Sequence, residues 1–228
     1  MIQKTFAMAA SLALTVCAYA GTATAPHAQE NSAMTQATQQ PPIPPVVTSG
    51  ELAPLGDPVI RAEMNIKPVK WPLRFKSFSL STGCYDTLEC HIPFEGLNLG
   101  NPKPSRSSAS YGADYLKGLA AGKYGDVKNF PSPIQVRWRS KDGSWHEAEI
   151  DLGELFKDEL VRHYVPREEV ADLPDGKYDD DPSILLEVND HTIRVYMAAM
   201  VFTKHLQEPG NVRSDFRDDP ILIKTYTY

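Results

Sequence analysis

Oily and polar side chains alternate on both sides of Lys141-Asp142-Gly143, from Ile134 to Arg139 and again from Trp145 to Ile150, a pattern that suits an antiparallel hairpin. A three-residue loop ending in a left-handed glycine is a recurrent hairpin connection. It sets Ile134 opposite Ile150, Val136 opposite Ala148 and Trp138 opposite His146 on one face, with Arg137 against Glu147 and Gln135 against Glu149 on the other. A slip of one residue would push acids against the apolar set, so the pattern selects its own register.

The same period recurs elsewhere. Leu73 to Leu80 and Leu88 to Phe94 read as strands, and Ile184 to Val188 with His191 to Met197 read as a second hairpin. Its turn is expected at Asn189-Asp190, which pairs Leu186 with Ile193 and Ile184 with Val195. Ala198 to Lys204 is expected to prolong the outgoing strand. Pro209-Gly210-Asn211 forces a turn, and Ile221 to Tyr228 alternates as a terminal strand. Glu95 to Ser110, dominated by Gly, Asn, Pro and Ser, is expected to be a long loop. Helical spacing appears only briefly, at Tyr111, Tyr115, Leu116 and Leu119 and at Leu152, Leu155, Phe156 and Leu160. The fold class expected is mostly β: an antiparallel sandwich or rolled sheet with a few short helices.

Ahead of this domain, Lys4 and the 11-residue apolar run Phe6 to Val16 form a secretory leader, too short to span a bilayer. Ala18-Tyr19-Ala20 supplies a small-x-small cleavage pattern, with Ala23-Thr24-Ala25 as a poorer choice before Pro26. The expected organisation is a signal peptide over 1–20, with cleavage as late as 25, a disordered Pro, Gln and Thr-rich linker over 21–58 and a single β-rich domain over 59–228. Leu14-Thr15-Val16-Cys17 partly resembles a lipoprotein box, but Val16 stands where a small residue is wanted. A lipid anchor at Cys17 is therefore the lesser alternative. Either route delivers the domain to the periplasm or beyond.

In such a compartment Cys84 and Cys90 are expected to form a disulfide across a small loop, two free or metal-bound thiols being the alternative. The formal charge is −6, and removing Lys4 takes it to −7, which argues against nucleic acid as the main partner.

Chemistry is harder to find. No G-x-S-x-G pentad occurs, and histidines 27, 91, 146, 163, 191 and 205 form neither H-E-x-x-H nor H-x-H. No catalytic residue, metal or cofactor is assigned. Asp172, Asp175, Asp179, Asp180 and Asp181 make an acidic loop, solvated or calcium-holding, and with Tyr178 it would suit a basic patch on a protein partner. Trp145 falls on the face away from the apolar pairs. There it would anchor an interface or stack on a sugar, unless a second layer covers it. The binding candidates are Trp145, His146, Tyr178, Asp179, Asp180 and Asp181.

The run Trp138-Arg139-Ser140-Lys141-Asp142-Gly143, then Ile150-Asp151-Leu152, Phe156 and His163, and later Asn211 to Phe216 before a Tyr-rich final strand, resembles small exported bacterial proteins that accompany secreted antibacterial effectors: the immunity proteins of type VI secretion lipase effectors. The resemblance covers roughly residues 70 to 228 and carries no binding residue across. It implies a periplasmic, non-enzymatic protein that binds and neutralises a toxin. The alternatives are an extracytoplasmic hydrolase with a dispersed site, drawing on His146, His163 or His191 with carboxylates, and a carbohydrate-binding or envelope-assembly module.

Overall fold

The computed structural model describes residues 43–46, 63–121 and 124–228. The expected leader over 1–20, its later cut after Ala25, Cys17 and all of the 21–58 linker except 43–46 lie outside these residues.

Eight strands carry the architecture: β1 (Ser77–Tyr85), β2 (Thr87–His91), β3 (Tyr124–Lys128), β4 (Ile134–Ser140), β5 (Trp145–Ile150), β6 (Ser183–Asn189), β7 (Thr192–Ala198) and β8 (Ile221–Thr227). They form a five-stranded sheet of order β8-β7-β6-β1-β3 and a three-stranded sheet of order β2-β4-β5. Every pair is antiparallel except β1 with β6, which run parallel from Ser79 beside Ser183 to Tyr85 beside Asn189. The helices are short, α1 (Tyr115–Ala121) and α2 (Leu152–Leu155). The protein is mostly β, as its alternation requires, and among the described residues no helix is long and apolar enough to cross a membrane.

The two sheets share one core. Phe78 and Leu80 from β1, Ile184, Leu186 and Val188 from β6, and Ile193, Val195 and Met197 from β7 meet Ile134, Val136, Trp138 and Ile150 from the smaller sheet. Burying each such side chain contributes roughly 1.5–3 kcal/mol before the entropy of ordering it is charged. Cys84 on β1 and Cys90 on β2 are joined, so the disulfide ties one sheet to the other as well as closing the Tyr85-Asp86 turn.

The first hairpin keeps every predicted pair, from Ile134 with Ile150 to Trp138 with His146. Gly143 ends its loop at φ 93°, a conformation that strains any residue with a Cβ. Asp151 then caps α2 by accepting the Glu154 N–H at 3.0 Å.

Three expectations are corrected. The strand expected from Leu73 begins at Ser77 and runs on through Cys84, because Leu73 and Phe75 bond instead to Val161 and Glu159 while Ser79 to Tyr85 pairs with β6. The second hairpin turns at Asp190-His191, not Asn189-Asp190, and pairs Leu186 with Val195 and Ile184 with Met197. That two-residue shift leaves every side chain on its expected face. What decides it is Asp190 in the left-handed region at φ 50° and Glu187 opposite Arg194. Finally, β7 stops at Ala198, and Val201–Phe202 pairs instead with Phe216–Arg217.

Candidate functional site

On the outer face of the smaller sheet, every second residue of β4 points away from the core, which brings two cross-strand rows to the surface. Glu89, Arg139 and Trp145 form one, and His91, Arg137 and Glu147 the other. Trp145 is 45% exposed, so no second layer covers it. The Arg137 guanidinium lies over its ring at 4.3 Å from the centroid and holds Glu147 with Nε 3.3 Å from Oε1. Arg139 Nε donates to the Gly143 carbonyl at 3.1 Å, pinning the turn beside the tryptophan. His91 Nε2 lies 2.7 Å from Glu89 Oε1. A shallow depression of about 380 Å³ opens between His91, Pro93, Gln135, Val136, Arg137 and Glu147. Tryptophan and arginine are the residue types that most often carry binding energy at protein interfaces. A sugar finds only one face of this indole free, since Arg137 occupies the other.

His146 faces inward instead. Its ring stacks on Trp138 at 5.0 Å and meets His191 edge-on at 5.1 Å, while Tyr228 packs edge-on against Trp138 at 5.0 Å. Around them the two hairpin turns are stitched together. Trp138 Nε1 donates to the Asp190 carbonyl at 2.6 Å, and the Lys141 N–H donates to Asp190 Oδ1 at 3.0 Å. His191 Nε2 lies 3.4 Å from Asp142 Oδ2. The Ser140 hydroxyl, which donates to Asp142 Oδ1 at 2.6 Å, is the first cause that holds the Asp142 carboxyl down at about 2, with the Ser144 N–H second. Ser140 Oγ also lies 3.1 Å from His146 Nε2, but Ser140 is fully buried and its hydroxyl cannot meet a substrate. His163 is elsewhere, edge-on to Trp71 at 5.5 Å, its pKa lowered by burial. Of the three histidines weighed for a dispersed site, the fold gathers His146 and His191 and leaves His163 out.

The acidic loop divides. Asp179, Asp180 and Asp181 are exposed, and Asp181 Oδ1 accepts from Ser77 Oγ at 2.8 Å. Desolvation, then the Asp179 and Asp181 charges, push the Asp180 carboxyl up. Tyr178 turns inward onto the core and donates its hydroxyl to the Met200 carbonyl at 3.1 Å, its phenol raised first by burial and then by Asp180 and Asp181. Asp181 precedes β6 and Asp190 follows it, so a seven-residue strand, about 20 Å long, separates the acidic loop from the turns beside Trp145. The sequence candidates therefore fall into an outward Trp145 face, an inward His146 seam and a distant acidic loop. Among the described residues no three His, Cys, Asp or Glu side chains are grouped to hold a metal ion.

One cluster was missed altogether. On the outer face of the larger sheet, Glu187 is fully buried beneath the segment from Ser108 to α1. Its carboxylate accepts from Tyr115 at 3.2 Å, Asn189 at 2.9 Å and Tyr196 at 3.0 Å, with Arg194 Nη1 at 3.6 Å. Asn189 also donates to Ser108 Oγ at 3.0 Å, so the carboxylate and its neighbours hold the covering segment in place. Gly83 permits the close approach, because a Cβ there would lie 3.0 Å from Leu119 and 2.9 Å from the Tyr85 ring. The sequence signal was an acid inside the apolar run Ile184-Leu185-Leu186-Glu187-Val188, where an unpaired charge would be costly.

No family model, curated protein or solved structure matches this chain.

Proposed function

We propose that this is an exported, periplasmic binding protein without catalytic activity, an immunity protein that occludes a secreted antibacterial toxin with the outer face of β2-β4-β5. The observation that carries the reading is Trp145, exposed on a regularly paired sheet and backed by Arg137 at 4.3 Å. The guanidinium already stacks on the indole in the free protein, which lowers the entropy cost of ordering the two side chains on binding. Glu89, His91, Arg139 and Glu147 around it supply a polar rim of both signs. The export leader, the Cys84–Cys90 bond and the resemblance to toxin-neutralising proteins favour the same compartment and role. The acidic loop, about a strand's length away, would serve as a steering charge for a basic partner.

The reading is tested by expressing the tagged protein in the periplasm together with the product of the neighbouring gene as the candidate toxin, then purifying on the tag. Stoichiometric recovery of the toxin, and loss of its killing activity, is expected. Recovery of no protein at any salt concentration would refute it.

A second reading, an extracytoplasmic hydrolase, is favoured by one observation, the meeting of His146 and His191 with Asp142 and Asp190. Alanine at His146 and at His191 would then abolish hydrolytic turnover and leave the fold intact.

A further inference from the structure

Four lateral edges bound the two sheets, and they are not equally protected. The outer edge of β2 is covered by the chain that follows, with Cys90 N–H donating to Asn101 O at 2.9 Å and Ser105 N–H to Thr87 O at 2.8 Å. β8 carries a register shift at Val195/Tyr196 and Lys224 in mid-strand. β3 has a shift between Phe78 and Leu80, a left-handed Asp126 at φ 56° and Lys128 at its end. Shifts and lysines of this kind are how edges avoid pairing with other chains. β5 has none of them. Its six pairs with β4 are regular, and Trp145 to Ile150 contains no Pro, Gly or Lys.

Which groups this edge presents follows from the hairpin. Ser140 N–H donates to Ser144 O, so that pair is hydrogen-bonded, and alternation makes Trp138 with His146, Val136 with Ala148 and Ile134 with Ile150 hydrogen-bonded pairs too. Trp145, Glu147 and Glu149 occupy the intervening positions, and their N–H and C=O groups point out of the sheet edge. No backbone hydrogen bond among the described residues reaches them. The inward side is also incomplete: Val136 and Trp138 are buried, whereas their β5 partners Ala148 and His146 remain partly exposed.

We infer that the free edge of β5 receives an extended segment of the protein partner, which adds to the sheet as a strand next to β5, with Lys or Arg facing Glu147 and Glu149 and apolar residues alternating toward the core. The inference rests on the protein-binding reading above and specifies its mode. Glu147 is highly exposed and, among the described residues, its ion-pair partner is Arg137 on the β4 side, so its other flank faces the incoming strand. The two carboxylates also disfavour a second copy of this chain. A two-fold antiparallel pairing of β5 with itself that overlaps by four or more residues and keeps the inward set inward places Glu147 against Glu147 or against Glu149. Like charges directly opposite destabilise such a pair, whereas a basic strand meets both favourably.

The test uses the full mature protein and three synthetic octapeptides: alternating Val and Lys, alternating Val and Glu, and the Val-Lys peptide N-methylated at every second amide. Binding is followed by calorimetry, and amide hydrogen exchange is read at Trp145, Glu147 and Glu149. The Val-Lys peptide should slow exchange of these three amides at least tenfold. The N-methylated peptide should not, and the Val-Glu peptide should bind about tenfold more weakly, as expected for two cross-strand charge pairs reversed. Glu147→Lys with Glu149→Lys should invert that preference. Absence of Val-Lys binding, binding indifferent to N-methylation, protection at sites away from β5, or protection that rises with protein concentration alone would each overturn the inference. If the partner complex forms while these amides exchange as in the free protein, strand addition falls and the binding reading stands. If no protein partner is captured at all, the binding reading falls with it.

Discussion

Replacing Glu187 with leucine should destabilise the protein by about 3–4 kcal/mol, although leucine fills similar space and its neighbours in the strand, Leu186 and Val188, are apolar. The carboxylate is fully buried and accepts from Tyr115, Asn189 and Tyr196, with Arg194 at 3.6 Å. Tyr115 and Asn189 are partly exposed, so each can recover a hydrogen bond to water. Tyr196 cannot: it is 6% exposed, and a stranded hydroxyl that had bonded a charge costs about 2 kcal/mol. Arg194, with a side chain 20% exposed, loses its counter-charge at a further cost of about 1–2 kcal/mol. Glu187→Gln keeps the volume and one acceptor oxygen and should cost roughly half as much. Urea unfolding at pH 7, followed by tryptophan fluorescence, measures both. Because the lost bonds also hold the segment from Ser108 to α1, limited proteolysis should cut there first in the leucine variant. A leucine variant within 1 kcal/mol of wild type, with an unchanged denaturant slope, would refute the reasoning.

Two further outcomes follow from the same contacts. Cys84→Ser with Cys90→Ser should cost about 2 kcal/mol, the chain-entropy value for so short a loop, measured as a lower urea midpoint; an unchanged midpoint would show that the link between the sheets is redundant. At alkaline pH, burial first and the Glu187 charge second push the Tyr85 and Tyr115 phenols up to about 12, against 10.0 when unperturbed. Between those values the folded chain binds protons that the unfolded chain has released, so stability is full below pH 10 and falls as pH climbs to about 12. Tyr85→Phe with Tyr115→Phe should flatten that fall in denaturant titrations taken pH by pH; an unchanged slope would contradict it.

How much of this was legible in the sequence depended on whether local chemistry discriminated between registers. In the first hairpin a one-residue slip sets Glu147 and Glu149 against apolar partners, so Ile134 to Ile150 could be aligned without a structure. In the second, moving the turn from Asn189-Asp190 to Asp190-His191 changes the pairing by two residues and keeps Leu186 and Val195 inward, so alternation was silent. β3 went unseen because Gly125 and Asp126 are poor strand formers and Val127 is its one buried residue. The parallel pairing of β1 with β6 joins residues about a hundred positions apart, and nothing in either segment names the other. For the site, the outward Trp145 followed directly from the hairpin register. The inward seam around His146 did not, because it needs His191 from the second hairpin's turn and Tyr228 from just past β8. Tyr178 looked like the tip of an acidic loop, yet its ring has more to gain from the core than from solvent. Glu187 went unremarked although it is an acid in an apolar run, because what makes its burial tolerable lies far off in the chain: Tyr115 is 72 residues away.

The most direct test of the binding account is the affinity of the purified toxin for Trp145→Ala, set beside wild type by calorimetry, with circular dichroism confirming that both are folded. Removing a tryptophan that anchors the interface should weaken binding about thirtyfold or more, the equivalent of about 2 kcal/mol. Equal affinity for the two proteins would mean that the outer face of β2-β4-β5 is not where the partner binds.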